Sequence, residues 1–427
     1  MIYENWFEIS SKVKSPYCPP LDKNITTECL VIGGGFAGLH AALTLANAGK
    51  EVVLLEKRFC GGGSSGKSAG FLTPESEKDV DQLIKVYGEK KAKALHEIPK
   101  KGVDLILKMI KKYNLDCDLR KQDSLYLSFK KSHEKWLKEE ANIREKENLP
   151  FELIDERNLK KIHPVKNYTL GLKYPGSYGI NPFSYCQEMK NLLLEKGVKI
   201  YEDSEVHKIE GNTARTRLGS IIAKNILICI DKMKAEFNEE ISKKIYHIQS
   251  YLAVSEPLSK NEIEALYPKE ELMCWDTRII YMHYRPVAGN RIIIGGSGLW
   301  TTYSSENFSS KIIEKFINEL KKRVSLLENV KFSYYWAGLA DVTQDLQPIV
   351  DYDKNNKSIQ YALGCAGLPW AAYCGDYIAR RIIGKKVEDL SEFTKLGRKF
   401  FVPKYLKNIL GKRITFALSH LNEYFQT

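Results

Sequence analysis

Three glycines, Gly33, Gly35 and Gly38, stand at GxGxxG spacing directly after an apolar run, Cys29 to Ile32. An acid, Glu56, closes a second apolar run that begins at Glu51. Between the runs, positions 37–48 carry helical periodicity, with Leu39, Ala42, Leu43 and Ala46 on one face and Gly49 placed to end the helix. Gly33 permits a sharp turn, Gly35 lets backbone approach a pyrophosphate, and Gly38 lets a helix sit close on a strand. The helix start at Phe36 and Ala37 faces the anion, and a carboxylate about twenty residues on can take both ribose hydroxyls. Strand, glycines, helix, strand and acid in this order predict a bound dinucleotide.

A second stretch competes for phosphate. Gly61 to Ser68 reads GGGSSGKS and matches the P-loop pattern, and the apolar run Asn225 to Ile230 ends on Asp231 as a magnesium-binding strand would. An NTPase is therefore a rival reading. A P-loop opens a long helix at its lysine, whereas Gly70 and Pro74 follow Lys67 closely and oppose one. The stretch reads better as a second anion-binding loop, with amides around Gly63, Ser64 and Gly66, and with Ser65, Lys67 and Ser68, reaching pyrophosphate or flavin. An acid beside phosphate is unfavourable, so Asp231 is expected to point away.

The elements that must position these residues follow from periodicity. Helices are expected over 79–87, 90–113 (kinked or divided at Pro99), 133–147, 183–196, 311–326 and 371–383. Strands are expected over 125–129, 198–201, 250–254, 278–284, 291–295 and 331–336. Pro16, Pro19 and Pro20 make 1–28 an extended lead-in. The tail, 391–427, is basic and amphipathic, with Phe401, Tyr405, Leu406, Ile409 and Leu410 on one face. Docking on the body is expected, with a membrane-surface helix as the alternative. A length of 427 residues suits two or three domains. The net charge of +12 comes from lysines scattered over helix surfaces, so nucleic acid is not an expected partner. No apolar run approaches a membrane span, and the polar start is no signal peptide. Nine cysteines without a CxxC pair indicate reduced thiols, a cytoplasmic setting and no zinc site.

With these residues in place, the chain resembles the D-amino-acid-oxidase-like FAD-dependent oxidoreductases, the group that holds glycine oxidase, sarcosine oxidase and gamma-glutamylputrescine oxidase. The likeness to the last covers nearly the whole chain. It is carried by "PPLDKNITTECLVIGGGFAGLHAAL", "GGGSSGKSAGF", "YNLDCDLR", "GINPF", "YRPVAGNRIIIGG", "WAGLADVT" and "GCAGLPW". The resemblance implies an α/β fold: a Rossmann-type, glutathione-reductase-like FAD-binding domain from 1–80, 178–242 and 338–427. A substrate domain with a mixed sheet, 81–177 and 243–337, would be inserted in it. It implies non-covalent FAD. Gly33, Gly35 and Gly38 would hold pyrophosphate, Glu56 the adenosine ribose, and Lys57 and the Val206 backbone the adenine. Ser65, Gly66, Lys67, Ser68 and Gly70 would run towards the flavin, with Gly364, Gly367 and Leu368 at its pyrimidine end. The implied reaction is oxidation of a C–N bond in a small amine or amino-acid derivative, by hydride transfer to flavin and hydrolysis of the imine, with oxygen or another acceptor reoxidising the flavin. By family position Tyr284 and Arg285 would act on substrate, with Trp370 and Trp336 as aromatic walls.

Three departures qualify that picture. Amino-acid oxidases of the group carry an Arg in a GxR run to fork the substrate carboxylate, and sarcosine oxidase a flavin-bonded Cys in the same region. Here Gly338-Leu339-Ala340 falls there, which leaves Arg285 as the candidate fork. Leu368, Pro369 and Trp370 replace a His- and Gly-containing loop, which implies changed specificity or weakened oxidation. "ICID" at 228–231 replaces a small-residue turn. Alternative functions are a flavin-dependent RNA-modification protein and a flavin-binding protein that has lost catalysis.

Overall fold

The computed structural model describes residues 1–233, 237–278, 281–297 and 309–398. Its cofactor-side sheet is built on Asn24–Ile32, which is five residues longer than its apolar run because only its C-terminal half is buried. Val52–Leu55 and Ser220–Ile228 flank it in parallel, with Leu30 opposite both Val53 and Ile226. Lys199–Tyr201 adds beyond Val52–Leu55, and Ile359–Leu363 beyond Ser220–Ile228, again in parallel. Parallel strands buried on both faces read as unbroken apolar runs, which is why these segments stand out in the sequence.

Helices cover this sheet through one shared core. Phe36–Asn47, Pro182–Glu195 and Leu368–Ile382 all contribute to it. Pro182 opens its helix at the first position, and the Asn181 side chain accepts the Ser184 amide at 3.0 Å. The helix Glu89–Tyr113 also buries Val103 and Ile106 in this core, although 81–177 was expected to belong to the substrate unit. Pro99 sits inside that helix without dividing it.

The second sheet has nine strands among the described residues and is mixed. Its long members are Ile245–Ser255 and Phe332–Thr343, paired antiparallel from Ile245↔Thr343 onward. Arg291–Ser297, His283–Val287, Leu272–Asp276 and Asp123–Leu127 follow in order, and Leu170–Tyr174 pairs with the last. The expected strand 278–284 is therefore the strand His283–Val287, and 279–280 lie outside the described residues. The lead-in is not simply extended. Ile2–Tyr3 joins the edge of this sheet beside Tyr334, and Trp6–Ile9 is a helical turn capped by Asn5. The amphipathic tail expected around Phe401 to Leu410 lies outside the described residues. No helix among the described residues is long and apolar enough to cross a membrane.

Candidate active site

Gly33 adopts φ +107°, and a Cβ there would lie 2.2 Å from the Cys229 carbonyl oxygen. Gly35 caps the helix Phe36–Asn47, and a Cβ on it would come 2.9 Å from Ser65 Oγ. That hydroxyl accepts the Phe36 amide at 3.1 Å, so the two glycine-rich loops are joined at the helix start. A Cβ on Gly38 would strike the Gly33 carbonyl at 1.8 Å, which accounts for the close helix-on-strand approach. At the end of the second strand, Glu56 accepts the Gly34 amide at 2.7 Å and the Arg58 amide at 3.0 Å. Burial pushes its carboxyl up, and these two amides and Lys57 oppose that.

Gly33, Gly35, Glu56 and Ser65 stand on the wall of a cavity of about 490 Å³. Of the sequence candidates, Gly33, Gly35, Phe36, Ala37, Glu56, Lys57, Gly63, Ser64, Ser65, Ser68, Val206, Gly364, Gly367 and Leu368 line it. Gly38, Gly66, Lys67 and Gly70 do not. Gly66 is packed against the Gly61 carbonyl and Gly70 against that of Ile180, while the Lys67 carbonyl accepts Trp336 Nε1 at 2.9 Å. The helix Ser64–Lys67 ends at Ser68, so the stretch lacks the long helix of a P-loop.

Asp231 reverses its expectation. It lines the cavity, and Ser64 Oγ donates to it. Burial and the nearby Asp341 carboxylate raise its pKa to about 7, while Lys57 and Lys232 work against them. The signal for this was its place just past the C-terminal end of a parallel strand, where ligands of open α/β sheets sit. Ala340, at the position of the missing Arg, lines the same cavity.

A second cavity, about 270 Å³, shares Gly367 with the first. Its walls include Phe71, Tyr126, Tyr174, Trp275, Tyr281 and Trp370, with several carboxylates. Leu368, Pro369 and Trp370 form the first turn of the helix Leu368–Ile382, where a missing proline N–H costs no intrahelical bond.

Tyr284 and Arg285 line neither cavity. Tyr284 is in the apolar core behind the sheet, with its hydroxyl 2.8 Å from His163 Nε2. Arg285 is fully buried and donates to the carbonyls of Ala69 at 2.9 Å, Ile180 at 2.6 Å and Pro286 at 3.3 Å, and to Gln122 Oε1 at 3.3 Å. Burial lowers its pKa to about 9. With its donors so engaged, it is a fastener and offers no fork to a carboxylate. Trp336 is likewise packed away from the cavities.

A family model described as DAO, FAD dependent oxidoreductase, matches residues 28–381. The chain belongs to this family. It is an FAD-dependent oxidoreductase, and FAD is its cofactor. It is similar to the probable oxidoreductase OrdL of Haemophilus influenzae, 30% identical over 389 residues that cover 88% of each protein. It is similar to the gamma-glutamylputrescine oxidoreductase of Escherichia coli, 27% identical over 85% of this chain and 84% of that one. The fold matches glycine oxidase from Geobacillus kaustophilus with a TM-score of 0.76 at 18% identity, over 88% of this chain and 99% of that one. The family removes the NTPase reading. The glycine cradle, whose space admits backbone and no side chain, fits a dinucleotide pyrophosphate, and the Glu56 carboxylate retains lone pairs for a ribose.

Proposed function

We propose that this oxidoreductase oxidises the C–N bond of a small amine or amine-bearing amino-acid derivative. FAD, when bound, supplies the acceptor for a hydride from the carbon next to nitrogen, and water hydrolyses the imine product. The cradle of Gly33, Gly35, Phe36 and Ala37, with Ser64, Ser65 and Ser68, would hold the pyrophosphate. Glu56 would hold the adenosine ribose, with Lys57 and Val206 beside the adenine. Gly364, Gly367 and Leu368 would meet the flavin. The observation that carries the reading is the aromatic cavity adjoining the dinucleotide cleft at Gly367. Its walls position the amine and exclude water, and hydride transfer asks little further acid–base machinery of the protein. Relatives named gamma-glutamylputrescine oxidoreductase and glycine oxidase support the substrate class. Among the described residues, the cofactor unit takes in those of 1–80, 178–242 and 338–398, and the core packing supports adding the helix Glu89–Tyr113. The remaining inserted segments form the substrate unit. Cys229 and Cys365 line the cleft, but Ala340 stands at the position of the flavin-bonded Cys of sarcosine oxidase and offers no thiol there, which supports non-covalent FAD.

The test is the visible spectrum of the purified protein, followed by anaerobic mixing with amines and then admission of air. Bleaching by an amine and return of colour in air are expected, and acid precipitation should leave the flavin in solution. A fully loaded protein that no amine bleaches would overturn the reading.

A further inference from the structure

The smaller cavity carries a charge pattern that the reaction itself does not require. Six carboxylates and two basic side chains line it. Arg278, one of the two, is held bidentate by Asp276 at 2.8 and 2.5 Å. Behind the wall Arg144, 2% exposed, is shared by Glu140 at 2.8 Å and Glu75. Asp81 takes Lys85 at 3.0 Å. Glu77 and Asp79 are left on the wall with no ion pair among the described residues, and the Glu77 carboxylate accepts the Tyr281 hydroxyl at 3.4 Å. Burial, reinforced by Glu140, Asp81 and Glu75, pushes the Asp79 carboxyl up, as expected where negative charge outweighs its compensation.

An independent observation points to a ligand at the same place. Tyr174 lines the cavity and is 2% exposed, yet its hydroxyl has no hydrogen-bond partner among the described residues. It stands near Glu75, Asp79 and Glu140. Ser76 Oγ, on the same wall, is buried without a partner as well. Buried hydroxyls are ordinarily satisfied, and a ligand ammonium, with three donors, suits oxygen atoms and carboxylates together. Trp275 stands 6.2 Å from Tyr126 and 6.3 Å from Phe71, so aromatic faces border the same space. A substrate carboxylate, by contrast, would meet six carboxylates here against only Lys78 and Arg278, the latter already taken by Asp276, with Arg285 sealed away.

We infer that this cavity takes a diamine or polyamine, with one amine presented at the Gly367–Trp370 loop and a second, protonated nitrogen held by Glu77 and Asp79 against the aromatic wall. This rests on the amine-oxidation reading above and excludes α-amino acids as preferred substrates.

The experiment compares n-butylamine, 1,4-diaminobutane and 4-aminobutanoate as reductants of the FAD-loaded enzyme. In parallel, calorimetry measures binding of butylguanidine and 1,4-diguanidinobutane to the same enzyme. The diamine should exceed the monoamine in kcat/KM at least about tenfold, one charge-assisted contact's worth, with the amino acid poorest. The bis-guanidine should bind tighter than the monocation by a similar factor. Asp79 also N-caps the helix Val80–Tyr87, a role Asn keeps, and Glu77→Gln and Asp79→Asn should raise KM for the diamine by a larger factor than KM for the monoamine. Monoamine or 4-aminobutanoate matching the diamine, or equal binding of the two guanidines, overturns the inference while amine oxidation stands. If no amine reduces the flavin but the bis-guanidine preference holds, the oxidation reading fails and the dication site survives.

Discussion

Glu56 lines the cleft with its carboxylate held by two backbone amides, one to each oxygen, so both oxygens keep further acceptor capacity. Glu56→Gln keeps the shape, removes the charge and gives up one acceptor. FAD should then dissociate about 10- to 100-fold more readily, the worth of one or two charge-assisted hydrogen bonds, as measured by flavin fluorescence on dilution. Asp231 predicts an opposite sign. Its pKa is raised from 3.8 to about 7, so the folded protein binds its proton more tightly than the unfolded chain. Stability from this group is full below the unfolded pKa and is lost as pH rises through about 7. Asp231→Asn should therefore raise the melting temperature more at pH 8 than at pH 5, by a few degrees, in thermal melts of the holoprotein. An equal shift at both pH values would show that the carboxylate is not strained by ionisation.

Elements deliver these groups through close backbone contact. Gly375, in the helix Leu368–Ile382, lies where a Cβ would be 1.9 Å from the Ala37 carbonyl, at the very turn that opens the dinucleotide helix. Gly102 meets the Pro369 carbonyl in the same manner, at 2.1 Å. Gly375→Ala must push the two helices apart, so a loss of roughly 1–3 kcal/mol in urea unfolding is expected, together with reduced FAD retention. Gly49→Ala, with open space but φ +75°, should cost only about 1 kcal/mol and leave FAD content unchanged. The contrast between the two variants separates packing at the cleft from general destabilisation. The Rossmann start was legible in the sequence because its buried strands are continuous apolar runs and its glycines sit at fixed offsets. Cleft lining by Gly33, Gly35, Phe36, Ala37, Glu56 and Ser64 to Ser68 was legible for the same reason, except where Gly66 and Lys67 turn away. The aromatic cavity was not, because it gathers Phe71, Tyr126, Tyr174, Trp275 and Trp370 from distant segments, several on paired strands, and no local spacing records that pairing. Nothing in the local pattern says that Arg285 would be roofed by carbonyls.

At the scale of the molecule, the cofactor sheet and the mixed sheet must keep their relation for the two cavities to adjoin at Gly367. Arg285 sits at that joint. Its guanidinium reaches Ala69 and Ile180, which flank the cofactor-side turn, and Gln122 and Pro286 in the mixed-sheet region. A Cβ on Gly70 or Gly179 would come within 2.7 or 2.4 Å of its nitrogens, so both glycines exist to let the guanidinium lie flat between segments. Lysine cannot reproduce a planar fork with donors at several angles, and methionine leaves the carbonyls without a partner. Arg285→Met should cost about 3 kcal/mol or more in urea unfolding and lower FAD occupancy, because buried acceptors lose their donor. Arg285→Lys should fall between. In the protein that remains folded and loaded, KM for amines should change less than about threefold, since the side chain touches neither cavity. A large rise in KM at unchanged stability would instead place the guanidinium on the substrate and require the joint to open during turnover.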